Sequence, residues 1–313
     1  MYDTLKINID KDVYNYKDAL RLFEVRMSNV TIVQHNGITY HNGFYKNWHF
    51  KLSPYSFKAS GSLTKLQFDN NLVALDNNLV WLALSKLNHA LGFKLDSSTL
   101  ERIDIGLNLE MDHPVHQYLQ LLSRWSTAKR HTVSNETVFF EGNNTNVLFY
   151  DKVAETKRGT PMSRFFLGKN LLRFEVRFKK NLGNMFNMPK VTVKDLKNRE
   201  FQDKLIKRWQ YEYTQVSKSY QPSFELDCTG SKKLIESLAV LGIESMGGYD
   251  TAINYIDTKV KGNAQGKYRM SKAIKAISAN HASVESVNLV EELSRKINDR
   301  ANDYVGAFRM PFC

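Results

Sequence analysis

The spacing of apolar residues changes once along the chain, between about residues 182 and 190. That change requires a strand-rich part followed by a helical part. Before it, apolar residues recur mostly at every second position. In Thr4 to Ile9, Leu5, Ile7 and Ile9 share one side. Asn29 to Tyr40 holds two β-rich runs split by Asn36-Gly37, a strong hairpin signal. A second turn signal, Asn42-Gly43, precedes Phe44 to Leu52, and Tyr55 to Phe68 continues the strand pattern around Gly61. Asp76 is a good N-cap for a helix in which Val80, Leu84, Leu87 and Leu91 recur at helical spacing, with Gly92 placed to end it. A strand follows over Leu100 to Leu109, and Asp112 and Pro114 open a helix running to about Trp125. Thr137 to Phe140, Asn146 to Lys152 and Leu171 to Lys179 read as further strands.

Beyond the change, Leu205, Trp209 and Tyr213 fall on one stripe. Ser231 to Gly242, Tyr249 to Lys259, Lys267 to Ala279 and Ser283 to Val305 read as helices. The expected fold class is α+β: a mostly antiparallel-sheet domain over residues 1–185, followed by a helical domain over residues 186–313. Gly183, Asn187 and Pro189 loosen the chain at the join.

Charge narrows the partners. Lys and Arg number 44 against 32 Asp and Glu, a net charge of +12, which points to a polyanion, either nucleic acid or an acidic membrane surface. The most apolar stretch, Asn78 to Leu91, is too short and too polar to span a bilayer, so no membrane role is expected. No basic segment followed by an apolar run opens the sequence, so no secretory signal is expected. Two cysteines, Cys228 and Cys313, make neither a zinc site nor a disulfide framework, and a reducing compartment is the default. From Lys259 to Lys275 there are six basic residues, one interleaved tyrosine (Tyr268) and no acid. With the helical segments Leu234 to Leu241 and Tyr249 to Ile256 joined through Gly247-Gly248, this reads as a DNA-contacting module or as a bundle with a solvated basic face.

Three strand segments carry chemistry. Arg102-Ile103-Asp104-Ile105-Gly106 sets Asp104 on the side away from its aliphatic neighbours. In Leu172 to Lys179, Arg173, Glu175, Arg177 and Lys179 alternate with apolar residues. In Val147 to Lys152, Tyr150 and Lys152 share a face with Leu148. Taken singly, these also read as a solvated strand face, a cross-strand ion-pair ladder and a packed sheet tyrosine. Taken together, Asp104 and Glu175 could hold Mg²⁺ or Mn²⁺ through hard oxygen ligands, and a nearby tyrosine could attack phosphorus to form a phosphotyrosyl intermediate. The eight histidines include no pair spaced i, i+2; His113 and His116, at i, i+3, read as solvated or capping residues. No Walker A run and no Gly-rich dinucleotide loop is present.

Four segments in matching order give the sequence a resemblance to the filamentous-phage replication initiators of the gene II/X family, and more broadly to rolling-circle initiators of phages and plasmids. They are Phe57-Lys58-Ala59-Ser60 with Lys65-Leu66-Gln67 and Asn71, then Arg102-Ile103-Asp104, then Leu148-Phe149-Tyr150-Asp151-Lys152, then Leu172 to Lys179. Asp69-Asn70 stands where the family has Gly-His, and the loop before Tyr150 is shorter. The resemblance implies Tyr150 as nucleophile, Lys152, Arg173, Arg177 and Lys179 as phosphate-binding groups, and Asp104 and Glu175 as ligands of Mg²⁺ or Mn²⁺. Glu141 is a candidate third ligand. It implies site-specific DNA nicking and joining at an origin on supercoiled double-stranded DNA, with single-stranded DNA exposed there. A 5′-phosphotyrosyl link and a free 3′-OH would result, in the host bacterial cytoplasm, with host helicase and DNA polymerase as partners. Other classes remain open at this point: a noncatalytic DNA-binding repressor or accessory protein on the same fold, or a mobilisation relaxase.

Overall fold

The structure is a computed structural model and describes residues 2–68, 70, 72, 75–157, 168–219, 229–246, 248–261, 263–280 and 284–307. In chain order its elements are β1 (Tyr2–Ile9), α1 (Tyr16–Val25), β2 (Ser28–His35), β3 (Ile38–Tyr45), β4 (Trp48–Leu52), β5 (Phe57–Ser62), α2 (Leu63–Phe68) and α3 (Asn77–Leu91). Next come β6 (Thr99–Met111), α4 (Val115–Leu121), β7 (Leu122–Trp125), β8 (Arg130–Val133), β9 (Thr137–Glu141), β10 (Thr145–Asp151), α5 (Lys152–Lys157) and β11 (Asn170–Phe178). The remainder is α6 (Leu182–Phe186), a 3₁₀ turn, α7 (Arg199–Thr214), β12 (Val216–Lys218), α8 (Ser231–Ser245), α9 (Tyr249–Lys259), α10 (Ala264–Asn280) and α11 (Val284–Ala307). The class is α+β, as expected. Asn71, Tyr220, Cys228, His281 and Cys313 lie outside the described residues.

Ten strands form one antiparallel sheet in the order β2-β3-β4-β5-β1-β6-β11-β10-β9-β8. Alternation in its middle strands separates two faces. On one face Ile103, Ile105 and Leu107 of β6 line up with Phe174, Val176 and Phe178 of β11 and with Val147 and Phe149 of β10, all buried. Helix α7 covers them with Leu205, Trp209 and Tyr213. Phe174 is the centre of this packing: its ring stacks on Phe149 at 4.5 Å and meets Trp209 at 4.6 Å. Helix α11 adds Leu289, Leu293 and Ile297 to the same core, and the Tyr213 and Ser294 hydroxyls lie 2.8 Å apart. Burying a large apolar side chain of this kind stabilises by about 1.5–3 kcal/mol. The other face carries the polar residues of the same strands, most of them buried beneath α5 and the loop at Leu72.

The boundary expected near residue 185 does not divide two cores. Residues from α7 and α11 belong to the sheet's core, while α8, α9 and α10 pack on one another around Val240, Ile243, Ile253 and Ile256. The separate unit is therefore the three-helix group, and α11 returns to the sheet after it.

Several local expectations change for identifiable reasons. The Asn36-Gly37 hairpin forms, with both residues at positive φ. Asn42-Gly43 is not a turn but lies inside β3; a side chain on Gly43 would meet Met27 and Phe23 of the α1 region at 3.0 and 3.1 Å. The glycine there serves close packing, and the chain reverses instead at Lys46-Asn47. The strand expected over Tyr55 to Phe68 turns helical at Leu63. Helix α1 escapes an alternation reading because only Ala19 and Phe23 are fully buried; Asn15 caps it by accepting from the Lys17 and Asp18 amides. The helix expected to reach Trp125 ends at Leu121, where β7 begins and pairs with β12. Its Pro114 start is as expected. The short edge strand β8 carries no buried residue, which is why its sequence shows no pattern.

Candidate active site

Strands β6, β11 and β10 lie side by side, and their register sets the site. Asp104, Gly106 and Asn108 face Arg177, Glu175 and Arg173 across one pair. The same three β11 residues face Asn146, Leu148 and Tyr150 across the other. These residues lie on the polar face, away from α7, and Asp104, Asn146, Leu148, Arg173 and Glu175 are buried there. Sequence reasoning puts Asp104, Tyr150, Arg173, Glu175 and Arg177 in one chemical group, and the structure brings all five together.

The group is held by charge-assisted hydrogen bonds. Arg102 grips Asp104 with two parallel bonds, Nε to Oδ1 at 2.7 Å and Nη2 to Oδ2 at 2.6 Å. Arg177 Nε donates to Glu175 Oε1 at 2.6 Å and lies 3.8 Å from Asp104 Oδ2, so one guanidinium spans both carboxylates. Arg173 donates from Nη2 to Asp3 Oδ2 at 2.6 Å and from Nη1 to Asn108 Oδ1 at 3.0 Å, with its Nε 3.6 Å from Glu175 Oε2. The Tyr150 hydroxyl donates to Glu175 Oε2 at 3.2 Å. Lys152 opens α5 directly after the strand; its ammonium bonds Glu155 and lies 5.8 Å from the Tyr150 ring centre.

Burial dominates the electrostatics. Asp104 is 1% exposed, and its burial pushes the carboxyl up to about 7 against the Arg102 hydrogen bond, with Glu175 adding to the rise. Burial also raises the Tyr150 phenol well above its ordinary value; Arg173 opposes this, and Glu175 and Asp3 reinforce it. Lys152 is lowered by burial and then by Arg173. Arg173 is raised despite its burial, because Asp3, Tyr150 and Glu175 surround it.

Gly106 is required by this arrangement. A Cβ on Gly106 would stand 2.4 Å from Arg173 Nη2 and 2.7 Å from its Cζ. Gly106→Ala is therefore expected to lower unfolding stability by about 1–3 kcal/mol, as overpacking in a fixed core does. Denaturant midpoints of the two proteins test this, and equal midpoints would show that the guanidinium can move aside.

Glu141 is not brought to the pair. It shares a cross-strand row with Asn146, Arg177 and Asp104, but three strand spacings of about 4.8 Å set it roughly 14 Å from Asp104. Its nearby cation is Lys179, at 3.9 Å. Among the described residues no group of three or more His, Cys, Asp or Glu converges on one point.

Sequence reasoning misses Asp3 and gives Arg102 and Asn108 no role. Plain alternation puts Asp3 in phase with the buried Leu5 and Ile7. A bulge between Tyr2 and Leu5, whose partners on β6 are Ile105 and Ile103, inserts a residue and turns Asp3 to the polar face. Only the charge itself, on an otherwise apolar strand side, could have signalled it.

A family model for the N-terminal region of the gene II replication-associated protein matches residues 1–200. The chain belongs to this family of filamentous-phage rolling-circle replication initiators. No curated protein matches the chain. The matched span includes every residue of the site described above. A replication initiator binds DNA at an origin, which accounts for the sign of the net charge. No described helix of this initiator is long and apolar enough to cross a membrane.

Proposed function

We propose that this initiator nicks and rejoins its origin through a covalent tyrosine intermediate, with Tyr150 as nucleophile. The observation that carries the reading is the Tyr150 hydroxyl held on Glu175 Oε2 among Arg173, Arg177 and Lys152, on the polar face of the sheet. Tyr150 Oη forms a bond to the scissile phosphorus and its proton passes to Glu175 Oε2. The bond from phosphorus to the 3′ oxygen breaks, leaving a 5′-phosphotyrosyl link. Lys152, whose hold on its proton is weakened by burial, would leave Glu155 to protonate the departing 3′ oxygen. Arg177, the more exposed guanidinium, meets the phosphoryl oxygens as charge develops on them. The reverse sequence rejoins the strand, since the phosphodiester energy stays in the tyrosyl link.

Asp104 and Glu175 are the donor type that a hard divalent cation takes, because Mg²⁺ is often held by one or two carboxylates with substrate phosphate completing the shell. Arg177, which spans the two, would have to turn aside for a cation to be held by both. Each carboxylate has about four lone-pair positions, so the guanidinium bonds do not exhaust them. Mg²⁺ or Mn²⁺ held there would supply charge stabilisation to the phosphodiester.

The free 3′-OH would prime host DNA polymerase while host helicase opens the duplex, in the host cytoplasm. The deciding experiment incubates supercoiled DNA carrying the cognate origin with the protein and Mg²⁺, then looks for protein-linked nicked circles. Nicked circles that carry no protein, or no nicking at all, would overturn the reading.

The three-helix group is the second DNA contact in this reading. On α10, Arg269, Lys272 and Lys275 are exposed, while Lys267 donates to the Asp257 carbonyl at 2.7 Å. Replacing the three exposed cations by alanine is expected to reduce the slope of log K against log salt by roughly 0.9 per phosphate contact, about 2.7 in all, on duplex DNA. Origin and random duplexes should lose affinity alike, because phosphate contacts carry little sequence information. An unchanged slope would remove α10 from the DNA interface.

A further inference from the structure

The polar face of the sheet does not end at the site. It continues from β6 across β1, β5 and β4 to β3, and the register shows which residues occupy it. Arg102 pairs with Lys6, Lys6 with Ser60, Ser60 with His49, and His49 with Phe44. One step along the strands, Lys58 pairs with Lys51 and Lys51 with Asn42, which lies between Tyr40 and Phe44 on β3. The intervening residues Leu5, Ala59, Phe50 and Leu52 are buried on the helix-covered side. Lys6, Phe44, Lys51 and Lys58 are exposed and Tyr40 and His49 partly so.

This surface mixes aromatic rings with cations. Phe44 and His49 pack with ring centres 4.9 Å apart. Lys51 Nζ lies 4.2 Å from the Tyr40 ring centre. An ion pair on it joins Lys58 to Glu101 at 2.8 Å, with both side chains well exposed. Six strand spacings of about 4.8 Å separate β3 from β10, so the surface extends roughly 29 Å from Tyr150.

We propose that this face binds single-stranded DNA next to the cleavage point, with bases stacked on Tyr40 and Phe44 and phosphates on Lys51, Lys58 and Lys6. The proposal rests on reading the site as a DNA nicking-joining centre and extends that site outward. A duplex turns only base edges into its grooves, so exposed rings on a sheet are matched to a strand whose base faces are free. Lysines between the rings supply the sequence-independent phosphate attraction. A base that takes the place of the Lys51 ammonium over Tyr40 frees that ammonium for the adjoining phosphate. Lys6 and the carboxylate-paired Arg102 and Arg177 lie on the same face between this surface and the site, so one strand can run from β3 to the scissile phosphate.

The test measures binding of a fluorescein-labelled mixed-sequence single-stranded oligonucleotide and of the matching duplex to the full chain, by anisotropy at several salt concentrations with chelator present. Tyr40→Ala combined with Phe44→Ala is expected to weaken single-strand binding roughly ten- to hundredfold, from the loss of two stacking platforms. Lys51→Gln with Lys58→Gln, two exposed positions that leave the core intact, is expected to lower the single-strand salt slope by roughly 1.4. Duplex affinity should stay within about twofold for both. Wild-type single-strand binding in both variants, or equal losses on duplex and single strand, would overturn the proposal. Nicking of supercoiled origin DNA by the wild-type protein is scored separately. Absent nicking with the expected binding losses would sink the catalytic reading alone, and intact nicking with unchanged binding would sink the platform alone.

Discussion

Tyr150→Phe will fold and bind origin DNA as the wild type does and will form no protein-linked nicked circle. Removing the hydroxyl deletes its hydrogen bond to Glu175 and leaves the ring in place. The expected stability change is therefore at most about 1–2 kcal/mol. The chemical change is of another size, because phenylalanine has no oxygen to offer in that place. Losing a nucleophile costs on the order of 10⁴- to 10⁶-fold in rate. The measurement is denaturing gel analysis of labelled origin DNA after incubation with each protein, followed by peptide mapping of any adduct. An adduct on another tyrosine, or nicking at the wild-type rate, would end the assignment of Tyr150.

The second large effect belongs to Glu175. Glu175→Gln keeps the shape of the side chain and its hydrogen-bonding reach but cannot take the phenolic proton. Nicking is expected to fall by roughly 10²- to 10⁴-fold, the range for loss of a positioned acid–base group. The amide also loses the charge opposite Arg177, so stability should fall as well, by about 1–3 kcal/mol, while Arg173 keeps its bonds to Asp3 and Asn108. The two consequences separate in the data. Single-turnover nicking well below the melting transition reports the chemistry, and a titration with Mn²⁺ or Mg²⁺ followed by thermal shift reports cation binding. A stability loss with unaltered nicking by the folded fraction would leave Glu175 as an ion-pair partner and nothing more.

Much of the site is legible because its strands alternate cleanly. Leu172 to Lys179 states its register in the sequence itself, and β11 places Arg173, Glu175 and Arg177 on one face as written. Tyr150 follows from the same rule applied to β10. What escapes depends on contacts between distant parts of the chain. Asp3 reaches the site through a bulge, and bulges leave no fixed mark in a short apolar run. Gly43 resembles a turn residue because glycine has two uses, positive φ and close approach, and the sequence Asn42-Gly43 does not say which applies. The later part of the chain is legible as helices. Which of them leaves the others and joins the sheet is not, since Leu289, Leu293 and Ile297 look the same whether they face α7 or one another.

The position of α11 bears on how the molecule is made. Strand β1 sits in the middle of the sheet between β5 and β6, and α11, synthesised long after it, seals the core beside β6, α4 and α7. Sequence separations of this size make the final closure a late event, and topologies dominated by such distant contacts fold slowly. A ribosome must carry synthesis past Ile297, and release it from the exit tunnel, before that side chain can reach its place. Until then the apolar surface of α7 and α4 stays uncovered, so a nascent chain of this initiator is a natural client for chaperones. Translation of α11 therefore sets the earliest moment at which the sheet's core is closed, and every initiator molecule carries that delay between the start of its synthesis and its first contact with an origin in finished form.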